Sequence, residues 1–150
     1  MIRRVTVSAT VCAWIAFTAY PAHPRNVKLI LPIDAALQAK AEADAKPTGA
    51  VKFVFGGPGS AAILTRFGSH VAAPRTSAMS TPDEVACNGA LLWTLVALEK
   101  RALEVGANAV VNIVSFYQKK EMSSTTEFEC HVGNVIATVV LKGDLVKIAK

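Results

Sequence analysis

A chain of 150 residues that is 52% hydrophobic and only 18% charged excludes a disordered protein, and a length of this order suits one globular domain. A chain of this size buries roughly two-thirds of its unfolded surface, so neither a metal nor a disulfide is required merely to hold a core. The formal charge of +5 does not point to nucleic acid: Lys and Arg stand singly or in pairs (Lys100-Arg101, Lys119-Lys120), without a clustered stripe and interleaved aromatics.

The first residues read as an export signal. Met1-Ile2-Arg3-Arg4 is a short cationic start, and Val5 to Tyr20 carries no charge, as membrane insertion requires. Pro21, Ala22, His23, Pro24 and Arg25 end the run. It is shorter than the roughly 20 residues of a spanning helix and is diluted by Thr6, Ser8, Thr10 and Thr18, which favours a cleaved leader over a retained anchor. We therefore expect a signal peptide at 1–22 and one compact α/β domain at 23–150, with its best-marked core at 81–148. The expected contact with membrane is through the leader alone, and the expected location is the periplasm. Bulky Tyr20 marks the cleavage site poorly, and Val11 makes Ala9-Thr10-Val11-Cys12 a feeble lipidation box. Loss of Arg3 and Arg4 lowers the net charge to about +3.

In chain order, Val27 to Leu31 is a short strand, and Asp34 to Lys46 an Ala-rich helix that Asp34 can cap. Pro47 and Gly49 stop it. Val51 to Phe55 reads as a strand entering a turn at Gly56-Gly57-Pro58-Gly59. Ser60 to Phe67 is read as a short helix ended by Gly68, and Ser69 to Ser80 as a loop or short edge strand.

The best-marked element follows. Thr81-Pro82-Asp83-Glu84 combines a Thr cap, Pro at the first helical position and Glu three residues after the cap, and Gly106 supplies a left-handed stop. Cys87, Leu91, Leu95, Leu98, Ala102 and Val105 recur at steps of three or four and form a stripe that faces a sheet. Leu92, Trp93, Val96 and Ala97 widen the apolar surface of the first half, which predicts a second cover from the N-terminal segment. Glu99, Lys100, Arg101 and Glu104 are expected to bring the second half into water.

Asn108 to Tyr117 is rich in β-branched residues, Gln118 to Ser124 reverses the chain, and Thr125 to Leu141 continues as a strand or pair of strands. The expected arrangement is a hairpin with the helix lying on it. Phe128, Cys130 and Val132 alternate with Glu127, Glu129 and His131, so one face is apolar and the other solvated. Gly133-Asn134 is read as a bulge, because Val135, Ala137, Val139 and Leu141 then become the apolar set.

Four groups of residues bear on chemistry. Gly56-Gly57-Pro58-Gly59-Ser60 lacks the Lys-Ser/Thr of a phosphate loop, and its proline removes a needed N–H, so it reads as a turn. His70 with Ser69 and Ser77 has no nucleophile elbow. Glu127, Glu129 and His131 are the only set with metal-ligand spacing: residues two apart on a strand project to one face roughly 6.6 Å apart. The same pattern is also that of an ordinary wet face. Cys87 and Cys130, both on apolar faces, are expected to form a disulfide in an oxidising compartment.

The run Gly106-Ala107-Asn108-Ala109-Val110-Val111-Asn112-Ile113, after a helix ending Glu99-Lys100-Arg101-Ala102 and before Phe128-Glu129-Cys130-His131-Val132-Gly133, resembles a family of uncharacterised exported proteobacterial proteins. Their core is similar to the YbjQ-like fold and to the periplasmic domain of the RcsF envelope-stress sensor. The resemblance covers about Asp83 to Lys147. It implies a long helix on a small, mostly antiparallel sheet, the helix feeding a strand that pairs with a last strand. The chain departs from the sensor in having two mature cysteines instead of four. Similar chains sometimes carry the label of an excinuclease ATPase subunit, which the missing phosphate loop and zinc-spaced cysteine pairs oppose.

The functional expectation is an exported, non-enzymatic binding or sensing module with no cofactor and an unidentified envelope protein or ligand as partner. The alternative is a periplasmic metal-binding protein using Glu127, Glu129 or His131 on that strand face, two of them sharing an ion with ligands from elsewhere. A nucleotide-dependent enzyme of the cytoplasm is the reading that leader and turn both oppose.

Overall fold

The computed structural model describes residues 24–40 and 46–149. The expected leader with Cys12, and residues 41–45 of the expected first helix, lie outside the described residues. The fold is mixed α/β. Among the described residues eight strands run β1 (Val27–Pro32), β2 (Lys52–Phe55), β3 (Ile63–Ala72), β4 (Arg75–Ser77), β5 (Ala109–Ser115), β6 (Glu127–Val132), β7 (Ile136–Thr138) and β8 (Leu141–Ile148). Helix α1 (Ile33–Gln38) follows β1, and the long helix α2 (Asp83–Glu104) separates β4 from β5.

Two four-stranded sheets form where one was expected, in the orders β1-β6-β7-β4 and β2-β5-β8-β3. All neighbours are antiparallel except β2 with β5. Helix α2 touches strands of both sheets. The predicted stripe is its buried face: Cys87, Leu91, Leu95, Leu98 and Ala102 lie in one apolar cluster with Val110, Leu145, Phe128 and Val132. Burial of a Leu-sized side chain is worth about 1.5–3 kcal/mol, so this stripe, rather than helix propensity, holds α2 in place. Leu92 is buried as well, and α1 supplies the predicted second cover, with Ile33 and Ala36 in the shared cluster; Trp93 remains 37% exposed.

Several expectations are corrected. Helix α1 begins after Pro32, Asp34 sits in its first turn without a capping bond, and Ala39 has already left the helix. Only Ile33 and Ala36 of α1 are buried, and Ala39 at its end adds too little apolar surface to lengthen so short a helix. Ser60 to Phe67 is not a helix: from Ile63 the chain is strand β3, paired with β8 from Ile63↔Ile148 to Ala72↔Leu141. Gly68, at φ +97, sits at a bulge in that strand and does not terminate a helix. Thr81 does not cap α2; its hydroxyl donates to the Met79 carbonyl, and Pro82 occupies the cap position. The Gly106 stop stands, at φ +81, with the Ala107 amide donating to the Ala102 carbonyl.

The expected hairpin of β5 with β6 is absent. Strand β5 is buried at every position except Asn112 and lies between β2 and β8, as a strand covered on both faces requires. Strand β6 alternates and belongs to the other sheet, beside β1 and β7. Gly133-Asn134 is not a bulge but the turn into β7, with Val132 opposite Ala137 and the Gly133 amide donating to the Ile136 carbonyl. Glu99, expected in water, is 4% exposed; its carboxylate accepts from the Thr48 amide at 2.8 Å and hydroxyl at 3.0 Å. It ties the segment before β2 to the helix.

Candidate functional site

Strand β6 carries the site. Its inward side chains, Phe128, Cys130 and Val132, are fully buried, and Cys130 is joined to Cys87 of α2 with a Cα–Cα distance of 5.9 Å. The predicted disulfide therefore bolts the helix to the sheet from the inside. Alternation sends Glu127, Glu129 and His131 to the opposite face.

That face is less wet than the sequence suggests. Glu127 is exposed, whereas the Glu129 and His131 side chains retain only 11% and 12% of their accessible surface. The Tyr117 ring covers His131, stacked at 3.4 Å between centroids and 11° between planes. Tyr117 comes from a single 3-10 turn, Tyr117–Lys119, in the connection from β5 to β6. The connection is pinned by a two-way backbone bridge between Ser115 and Met122 and by Glu121 with Lys142 at 2.8 Å. The Ser115 hydroxyl also accepts the Glu129 amide at 2.9 Å, which fixes the start of the site against β5.

The polar partners converge on Glu129. His131 Nε2 donates to Oε1 at 2.7 Å, and Lys28 Nζ from β1 donates to Oε2 at 2.7 Å. On the other side of the imidazole, Nδ1 lies 3.1 Å from Oδ1 of Asn26, one residue before β1. Burial pushes the Glu129 carboxyl upward, but the hydrogen bonds and charges of Lys28 and His131 together outweigh it and hold the group below the ordinary glutamate value. Both oxygens of Glu129 are thus occupied within the protein. Among the described residues no three His, Cys, Asp or Glu side chains are placed to hold a metal ion. Of Glu127, Glu129 and His131, the first stands exposed and the other two bond each other.

The spacing that suggested ligands also places Glu129 and His131 side by side, and that part of the expectation stands. Asn26, Lys28 and Tyr117 were missed. Lys28 is legible only once β1 is paired with β6, where it stands opposite His131; no local signal marks Tyr117.

The other groups do not converge. Ser69 and His70 are consecutive on β3 and project to opposite faces, and the Ser69 hydroxyl bonds Asp144 across the sheet. The hollow around Arg66, Ser69 and Asp144 measures about 180 Å³, below the 300–1,000 Å³ usual for small-molecule sites. Gly56 to Ala62 is a turn that folds over the outer face of β5: the Gly56 amide donates to Ile113 and Asn112 to the Gly57 carbonyl. The space beneath it, about 10 Å³, has room for a water at most. Among the described residues no helix is long and apolar enough to cross a membrane. In comparisons with family models, curated proteins and solved structures, the chain matched none.

Proposed function

We propose that this chain is an exported module of the bacterial envelope that acts by binding or sensing through its surface and not by catalysis. The buried Cys87–Cys130 bridge is the observation that carries the reading. Such a bond persists in oxidising compartments and is rare where thiols are kept reduced, and it agrees with a charged start and uncharged run at residues 1–20. On this reading the Glu129–His131 and Ser69–Asp144 pairs, each bonded within the protein, serve the structure and not catalysis.

Fractionation of a bacterium expressing the full chain, beside one expressing it from residue 23 behind a new Met, tests the reading. The full chain is expected in the periplasmic fraction and the shortened one in the cytoplasm. Equal cytoplasmic retention of both would overturn the proposal.

A further inference from the structure

We infer that the outer face of α2 joins two copies of this chain, the two helices running antiparallel about a twofold axis between Trp93 and Val96. Strands of both sheets take the face of α2 that carries Cys87, Leu91, Leu95 and Leu98. On a helix whose other side meets only water, that side is expected to be polar. Here it is not: Gly89, Trp93, Val96, Lys100 and Leu103 recur at steps of four and three, with Val85 one turn ahead of Gly89, and Lys100 is the one charge among them. Val85, Trp93 and Leu103 are 59%, 37% and 51% exposed, so the face lies open among the described residues. Alternating steps of four and three are those of a coiled-coil seam, which a second helix covers.

A second copy fits this seam because the stripe complements itself. With the axis between Trp93 and Val96, Trp93 stands against the Val96 of the other copy, Gly89 against its Lys100, and Leu103 beside its Val85. Each wide side chain thereby meets a narrower one. Nothing lies within 4 Å of a methyl built on Gly89, so the aliphatic stem of Lys100 can fill that gap while its ammonium stays in water. Charge favours the same direction. The first turn of α2 carries Asp83 and Glu84 and its last turns Lys100 and Arg101, so antiparallel helices bring each acidic end beside the other's basic end and oppose their dipoles. Arg25 partly offsets Asp83, and Glu104 is the like charge at the basic end. Parallel helices would instead set like ends together. The seam from Gly89 to Leu103 is roughly 20 Å long, and binding energy concentrates on a central Trp of this kind. An interface of that length stands at the small end of the specific range, which gives a dimer that dissociates at about 10–100 µM.

The dimer goes beyond the proposed envelope role and does not depend on it, since its test needs only the folded, disulfide-bonded protein. Sedimentation equilibrium from about 1 to 500 µM is expected to show monomers passing to dimers. Trp93→Glu changes an exposed position and should weaken the association about tenfold or more, with the melting temperature little altered. The direction of the helices is read by cross-linking. Gly89→Cys and Lys100→Cys, mixed, should be joined by a short thiol cross-linker, whereas neither alone should be, because antiparallel pairing holds like positions roughly 16 Å apart along the axis. Both positions lie on the open face, so this arm also covers a Trp93 variant that does not fold. Monomers throughout the range would overturn the dimer, whether the face then takes up phosphatidylcholine vesicles or the uncharged run of residues 5–20. Dimers that Trp93→Glu leaves intact would overturn it too, as would cross-linking of Gly89→Cys with itself.

Discussion

Glu129 and His131 show how a residue's environment departs from its strand pattern. Alternation alone places His131 in solvent and makes His131→Ala nearly neutral. With Tyr117 stacked on the ring and a 2.7 Å bond to Glu129, the expected cost is instead about 1–2 kcal/mol, measured by denaturant unfolding at pH 6. A midpoint equal to wild type would contradict the packing described. The Glu129 carboxyl is lowered on folding, so its contribution is complete above the unfolded glutamate value and is lost as pH falls through the folded one. Unfolding below about pH 4 should therefore be less steep in pH for Glu129→Gln than for wild type. Glu99→Ala is expected to cost about 0.5–1.5 kcal/mol, because the hydrogen bonds of the buried Glu99 carboxylate to Thr48 are lost while the exposed Thr48 can turn to water.

At the scale of elements, the pairing of strands was the least legible feature. The stripe on α2, the stop at Gly106, and strands β1, β2 and β5 follow from periodicity and turn residues, which act over a few positions. The partners of β5 do not: Ala109 to Ser115 sits between β2 and β8 because both its faces are covered, and no short stretch states which distant strands do the covering. Ile63 to Phe67 was misread for the same reason, since its strand form rests on a ladder to β8 more than 70 residues away. Gly143 of β8 packs directly against side chains of β5. A methyl there would stand 2.5 Å from Cγ1 of Val110, so Gly143→Ala should destabilise by roughly 1–3 kcal/mol, read as a lowered melting temperature. Gly57, with nothing within 4 Å of an added methyl, serves as the control.

Over the whole molecule, the disulfide closes a 43-residue separation between a helix and a strand that the sequence places far apart. Its reduction is expected to cost about 2–4 kcal/mol, since the unfolded chain regains the entropy that the closed loop removed. The pairing was legible because both cysteines fall on apolar faces of recognisable elements. The outer face of β6 was legible in composition but not in arrangement, because Asn26, Lys28 and Tyr117 reach it from two other parts of the chain.

The intact mass of the protein recovered from the envelope of expressing cells, with and without reduction and alkylation, tests the central claim of an exported, disulfide-bonded domain. The account predicts a chain shortened by about 18–25 residues at its N-terminus, as a signal peptide of this length implies. It also predicts a mass two hydrogens below the reduced form, with no alkylation at Cys87 or Cys130 until the bond is reduced. A chain still beginning at Met1, with both thiols free to alkylate, would contradict it.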